Sequence, residues 1–253
     1  MTFSIIAFNN DKSEYGIAIC SAIPFIGKYS AFVYPNLCVI AAQGKVDPCT
    51  AITIRNCLKD NLSEIQILSI LEEKDPSFNR KQLSFLNLNN YKFTSYTGKD
   101  LVHSKNEYSE IHGKIITGEN YIISGNCLVS LETLEIMEET FTANNHMNLD
   151  LRILESLKAG NKTKGDFRGR QSAALYCYRS KDEFPYRTID IDENLAPVEE
   201  LERIFNYAST HWQNVVDYCF FDMKFERKYM KGSDFPTDIM NSINTLSLPV
   251  NKR

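Results

Sequence analysis

The chain has 253 residues, enough for one substantial domain or two small ones. Hydrophobic residues make up 43% and charged residues 24%, which is typical of an ordinary folded domain and excludes a disordered or fibrous chain. The net charge of -4 argues against a nucleic-acid partner, because phosphate binding needs clustered positive charge. No apolar run is long enough to cross a bilayer and no basic leader precedes the first apolar run, so we expect a cytoplasmic protein without a membrane partner.

The cysteines and histidines carry no metal-binding pattern. There are seven cysteines and four histidines, and none of them forms a C-x-x-C or H-E-x-x-H spacing. Most cysteines have apolar neighbours, as buried reduced thiols do in cytosolic proteins. We therefore expect neither disulfides nor a metal centre, and no cofactor.

The first third of the sequence predicts two hairpins followed by two helices. Asp47 before Pro48 is typical of a helix start, and Ser63 with Gln66 forms a capping box for the next helix. The preceding runs are rich in β-formers and are separated by polar turns, which predicts strands at 2–8, 15–21, 30–34 and 37–42.

The rest of the chain repeats this segregation of strands and helices. A helix opens at Ser130, another is predicted to end at Gly160 as a C-terminal cap, a polar loop spans 161–170, and a long helix begins at Pro197. Further strands are predicted at 82–88, 91–97, 112–117, 119–124, 171–178 and 186–191. Paired strands alternating with paired helices favour an α+β fold, a four-layer αββα sandwich of two antiparallel sheets. We expect a single domain over 1–230 and an irregular tail over 231–253.

The opening strand carries two hydroxyl residues on one face. Alternation places Thr2 and Ser4 on the same side of the strand. If the hairpin turn is centred near residues 11 and 12, opposed residues have numbers that sum to about 23. Thr2 is then predicted to face Ser21, or else Cys20.

Two further polar positions have alternative interpretations. Asp166, Arg168 and Arg170 predict either a substrate anchor or a structural ion pair, since the planar guanidinium suits carboxylate recognition in both settings. Asn126 after Gly125 is interpreted as an oxyanion donor or as a helix cap.

Several segments together resemble the bacterial family DUF1028, which is assigned to the N-terminal-nucleophile (Ntn) hydrolase superfamily. The most specific of them is Gly-Asp-Phe-Arg-Gly-Arg-Gln-Ser-Ala-Ala at 165–174. The others are the opening strand 2–8, its return 15–21, Ala41-Ala42-Gln43, Gly125-Asn126, and Asp190-x-Asp192 before Pro197. The resemblance covers residues 2 to about 205 and implies the four-layer Ntn fold.

The resemblance also implies a chemistry that needs no cofactor. In this superfamily the first mature residue attacks through its side chain while its own α-amine serves as the base, so removal of Met1 would expose Thr2. It implies that Ser21, Asn126 and Asp166 assist Thr2, and that Ser4 is the alternative nucleophile. Substrate-binding residues would be Gln43, Arg168, Arg170 and Ser172, and Lys28 lies where many members keep a lysine that lowers the pKa of the nucleophile.

The sequence departs from the family pattern at Ala42, where a threonine is usual, and at 44–47, where an Asn-Tyr-Gly stretch is usual. The leading hypothesis is an amidohydrolase that cleaves a small-molecule or peptide amide through an acyl-enzyme at Thr2. Its alternatives are a catalytically silent protein that binds a metabolite or partner, and an enzyme that forms an amide with the same residues. The apolar face predicted over 197–216 could cover the sheet or a second copy of the chain, so a homo-oligomer stays open.

Overall fold

The computed structural model describes residues 2–101, 113–163 and 169–217, with the single residues 237 and 241. Contacts divide the chain into a first unit at 1–201 and a second at 202–253. The predicted domain limit at 230 and most of the predicted tail lie outside the described residues. The features below belong to the first unit, except that the helix starting at Pro197 continues beyond its limit and the short helix at 213–216 belongs to the second unit.

Within the described ranges, ten strands form two fully antiparallel sheets. They are β1 (Thr2–Phe8), β2 (Glu14–Ser21), β3 (Ala31–Tyr34), β4 (Cys38–Gly44), β5 (Lys81–Asn87), β6 (Lys92–Thr97), β7 (Gly113–Thr117), β8 (Tyr121–Asn126), β9 (Ser172–Arg179) and β10 (Arg187–Ile191). The first sheet has the order β10-β9-β2-β1-β8-β7, and the second has the order β3-β4-β5-β6. The hairpin of β1 and β2 pairs Thr2 with Ser21, which confirms the register predicted from the turn.

The described residues also form seven α-helices. They are α1 (Ile26–Ser30), α2 (Pro48–Lys59), α3 (Glu64–Lys74), α4 (Glu132–Ala143), α5 (Leu149–Lys162), α6 (Pro197–His211) and α7 (Gln213–Val216). α2 and α3 pack against the second sheet in one apolar cluster, and α4 and α5 pack against β1, β2 and β8 of the first. The sheets face each other through β1, β2, β4 and β5, which confirms the predicted α+β fold with four αββα layers.

One local prediction was wrong, and one short helix was missed. Gly160 does not end a helix, because α5 continues to Lys162 and buries Gly160 against α4. A Cβ atom at this position would lie 2.7 Å from Met137 Sδ, so the glycine allows the close approach of the two helices. α1 was not predicted, since it is only five residues long and its first turn has no side-chain cap.

The layer between the sheets is apolar over most of its length. Alternate residues of β1 and β2 point into it, including Ile6, Phe8 and Ile17, and meet Val39 and Leu86 of the second sheet. The same alternation along β1 brings Ser4 and Thr2 into this layer at the other end. The sheet therefore has one polar end, at the start of its first strand.

A buried lysine joins three elements on the outer side of the second sheet. Lys81, at the start of β5, is 1% exposed, and its Nζ lies 3.0 Å from Asp47 Oδ2 and 2.5 Å from Asp75 Oδ2. Asp47 caps α2 by accepting from the Cys49 N–H at 3.0 Å, and Asp75 follows α3. One ammonium group thus holds the ends of both helices against the strand.

Burial acts to raise the pKa values of Asp47 and Asp75, but the hydrogen bonds from Lys81 and from nearby N–H and O–H groups outweigh it and lower both values. The capping box predicted at Ser63 is present as well, with the Ser63 N–H donating to Gln66 Oε1 at 2.9 Å.

We expect Lys81→Met to lower the free energy of unfolding by about 3 kcal/mol, because two carboxylates lose their partner while keeping partial contact with water. Lys92→Met is the matched control, since the Lys92 side chain is 63% exposed and stands 3.7 Å from Glu64. The control should change stability by less than about 0.5 kcal/mol. Urea unfolding of the three proteins measures both values, and equal losses in the two variants would contradict the role of Lys81.

The cost of Lys81→Met should also depend on pH. A carboxyl group whose pKa is lowered on folding stabilises the fold above its unfolded pKa of about 3.9, and this contribution is lost as the pH falls through the folded value. The stability difference between wild type and Lys81→Met should therefore be full at about pH 7 and shrink below about pH 4. A difference that stays constant down to about pH 3 would assign the loss to packing alone.

Candidate active site

The polar end of the inter-sheet layer is centred on Thr2. In the first sheet Thr2 lies between Ser21 of β2 and Asn126 of β8, which are its register partners on either side. Ser172 of β9 is in turn opposite Ser21. Four polar residues predicted from sequence thus stand side by side across four neighbouring strands, and all four are buried.

The hydroxyl groups of Thr2 and Ser21 are in direct contact. Thr2 Oγ1 and Ser21 Oγ are 2.9 Å apart, and either atom can donate the hydrogen bond. The Ile23 N–H also donates to Ser21 Oγ at 3.4 Å, which holds the serine hydroxyl in place. The Thr2 side chain is only 5% exposed, so its hydroxyl is held in one position at the start of β1.

Gln43 brings the second sheet into the same network. Its Nε2 donates to Ser4 Oγ, and its Oε1 accepts from Asn126 Nδ2 at 3.2 Å. Asn126 Nδ2 also donates to Gln82 Oε1 at 3.0 Å. Both hydrogens of the Asn126 amide are therefore engaged, and the oxyanion role predicted for this residue would require one of them to be released.

Gln82 and Ser84 belong to this network and were missed by the sequence reasoning. Gln82 Nε2 donates to the Gly125 carbonyl at 3.1 Å, and Ser84 Oγ shares a hydrogen bond with Ser124 Oγ. The available signal was the spacing of Gln82 and Ser84 two residues apart in a strand, which places both on the same face, here the face toward the first sheet.

Ser172 has a structural role in addition to its place in the row. Its Oγ accepts from the Ile26 N–H at 3.1 Å and donates to the Ile23 carbonyl at 2.5 Å. These bonds hold the loop that follows β2. A substrate that bound to Ser172, as predicted, would have to share its hydroxyl group with these two hydrogen bonds.

Two charged residues predicted from sequence, Arg170 and Lys28, lie apart from the buried row formed by Thr2, Ser21, Asn126 and Ser172. Arg170 lines a cavity of about 460 Å³ that begins next to Ser21, at Ala22 and Gln171. Lys28 forms a surface ion pair with Asp192, and this hydrogen bond raises the pKa of the lysine. Asp166 and Arg168 lie outside the described residues.

Within the described ranges, no group of His, Cys, Asp and Glu side chains is arranged to hold a metal ion. None of the helices described there combines the length and the apolar character that a bilayer crossing requires.

Comparison with protein families decides the membership of this chain. The model of a family of unknown function, DUF1028, matches residues 2–201. The chain belongs to DUF1028. This confirms the family resemblance drawn from the motifs at 2–8 and 165–174.

A crystal structure of another DUF1028 protein, from Silicibacter pomeroyi, has 24% identity and a TM-score of 0.71, with 85% of this chain and 92% of that chain covered. It shows that the two proteins share a fold. Anbu (ancestral beta-subunit) from Yersinia bercovieri aligns over 82% of this chain and 94% of its own with 10% identity, and the TM-score of 0.40 does not establish a shared fold. Comparison with curated proteins finds no match.

The hydrogen bond between Ser84 and Ser124 in this DUF1028 protein can be tested by a double-mutant cycle. Each single change to alanine leaves a buried hydroxyl unpaired and should cost about 1–2 kcal/mol of stability, while the double change should cost clearly less than the sum. Ser69→Ala is the control, because that exposed hydroxyl bonds only within its own helix. Additive losses from the two single changes would contradict a direct bond between the sheets.

Proposed function

We propose that this DUF1028 protein is an amidohydrolase of the Ntn type, with Thr2 as its nucleophile once Met1 has been removed. The observation that carries the proposal is the 2.9 Å contact of Thr2 Oγ1 with Ser21 Oγ at the start of the first strand, between the two sheets. A nucleophile in this position would carry its own base, because the α-amine of the same residue lies within reach of its hydroxyl.

The reaction would proceed in two steps that need no cofactor. The free α-amine, with a pKa of about 8, takes the proton from Thr2 Oγ1 as the oxygen attacks the amide carbonyl. The C–N bond breaks, the departing amine receives that proton, and the acyl group remains as an ester on Thr2. Water then attacks the ester with the same amine as base, and releases the acid.

Ser21 would orient the nucleophile. When Ser21 donates its hydrogen bond to Thr2 Oγ1, the hydrogen of the threonine hydroxyl is left to point at the α-amine. The N–H of Ile23 supports this direction by occupying an acceptor position of Ser21 Oγ at 3.4 Å. Ser21 is thus a positioning residue rather than a base.

A second candidate is a catalytically silent protein that uses the same region for binding. It is favoured by the burial of Thr2, which is only 5% exposed and already hydrogen-bonded. An amide-forming enzyme would use the same acyl-enzyme, with an amine in place of water in the second step, and is distinguished by its product.

The test is covalent labelling of the protein by a β-lactone, which acylates activated hydroxyl groups, followed by peptide mass spectrometry. Protein that lacks Met1 should be labelled on Thr2, and Thr2→Ser should keep the labelling while Thr2→Ala abolishes it. Ser21→Ala should slow labelling about 10- to 100-fold, as the loss of a positioning contact does.

An N-terminally extended chain is the matched control, because it keeps the Thr2 hydroxyl and removes the free amine. It should not be labelled. Labelling of the extended chain at Thr2, or equal labelling of Thr2→Ala at another residue such as Ser4, would contradict the proposal. Absence of labelling in all forms would favour the silent protein.

A further inference from the structure

The cavity beside Ser21 is lined by both polar and apolar residues, and three of the polar ones are charged. It lies within the first unit, between the end of β2, the start of β9, the end of α5 and the first turn of α6. The Gln171 N–H donates to the Ser21 carbonyl at 2.7 Å, so the wall of the cavity is continuous with the row that contains Thr2. Its volume of about 460 Å³ is in the range of small-molecule sites.

Asn161 presents an acceptor to this cavity. The residue is 8% exposed, and its Nδ2 donates to Glu199 Oε1 at 2.9 Å. A carboxylate only accepts, so this bond fixes the orientation of the amide and identifies the remaining atom as oxygen. Within the described part of the chain, no donor reaches Asn161 Oδ1.

Arg170 presents a donor to the same cavity. One terminal nitrogen of its guanidinium donates to the Thr163 carbonyl at 2.8 Å, which anchors the side chain. Its Nε is buried, and the described residues supply no acceptor for it. A buried unpaired donor and a buried unpaired acceptor each cost about 1–3 kcal/mol unless a ligand or solvent supplies the partner.

The charges around these two atoms select the ligand. Glu193 and Glu199 line the cavity together with Arg170, so its lining carries two formal negative charges and one positive charge. A ligand that brings an ammonium group to the side of Asn161 and Glu199, and a carboxylate to Arg170, satisfies both unpaired atoms with charge-assisted hydrogen bonds. A neutral amide would pair the same two atoms but would bring no positive charge to the glutamates.

We propose that this cavity binds the ammonium and carboxylate groups of an α-amino acid in which both groups are free, with the amine at Asn161 Oδ1 and the carboxylate at Arg170 Nε. If the cavity is the subsite that holds one end of the amide substrate, its assignment rests on the proposed function. The binding of an amino acid is argued from the cavity alone, because neither Asn161 nor Arg170 takes part in the attack by Thr2.

The experiment measures binding to the full-length protein by isothermal titration calorimetry. L-Alanine, L-glutamine and L-phenylalanine span a range of side-chain sizes, and at least one of them should bind with a Kd near or below about 1 mM. The N-acetyl derivative of that amino acid, which lacks the ammonium group, and its amide derivative, which lacks the carboxylate, should each bind about 10- to 100-fold more weakly.

Two variants assign the contacts. Arg170→Met should weaken the amino acid about 10- to 100-fold and leave its amide derivative unchanged, whereas Asn161→Ala should weaken both ligands. Leu195→Ala is the control for the cavity rim, since Leu195 is 97% exposed and offers no polar side-chain atom, and it should bind normally. Thermal unfolding of each variant checks that the fold is intact.

The assignment is overturned if none of the three amino acids binds at about 20 mM, which would leave water as the partner of the two unpaired atoms. If the N-acetyl and amide derivatives bind wild-type protein as tightly as the free amino acid does, the assignment is overturned as well, even if the variants fail to fold. Binding should persist in Thr2→Ala. Labelling of Thr2 without amino-acid binding would contradict the cavity assignment alone, and binding without labelling would contradict the proposed hydrolase alone.

Discussion

Polar side chains that are buried between two sheets must find hydrogen-bond partners, and this requirement organises one whole end of the protein. Thr2 pairs with Ser21 inside the first sheet, while Gln43 and Gln82 reach across from the second sheet to Asn126. An unpaired group here would cost about 1–3 kcal/mol, so each residue restricts the position of the next. The network therefore joins the sheets where apolar packing ends, and it holds Thr2 in a single arrangement.

Strand order explains why polar residues gather at this end of the first sheet. β1 lies between β2 and β8 and runs antiparallel to both. The start of β1 therefore lies beside the ends of the other two strands. β9 adds its own start beside β2. Thr2, at the start of β1, is thereby surrounded by strand ends and by the loops that connect to them. Those loops build the cavity next to Ser21, whereas the apolar part of the layer is closed by side chains.

The parts of the structure governed by neighbours along the chain were predictable from the sequence. The alternation of residues along the strands predicted the sheets, and the hairpin turn predicted the pairing of Thr2 with Ser21. The helix-start pattern predicted the capping box at Ser63. What was missed depends on contacts between distant segments. The pairing of Gln82 with Asn126 needs the stacking of two sheets, and Gly160 resembles a cap until its packing against α4 is known. Asn161 was passed over because a polar residue near a helix end usually faces water.

Hydrogen bonding distinguishes the polar groups that position Thr2 from those that could bind a ligand. Around Thr2 the described amide and hydroxyl groups are engaged with one another, so a ligand that used the side chain of Asn126 would have to break a bond made within the protein. In the neighbouring cavity Asn161 and Arg170 each keep one buried atom without a partner among the described residues. A ligand gains the full value of a hydrogen bond only at such atoms, because no internal bond is lost in exchange. The hydrogen-bonded network fixes the Thr2 hydroxyl group, and the cavity beside it keeps polar atoms without partners among the described residues. An enzyme needs both features, because a rigid surrounding favours the reacting atom and unpaired hydrogen-bonding atoms favour binding of the substrate.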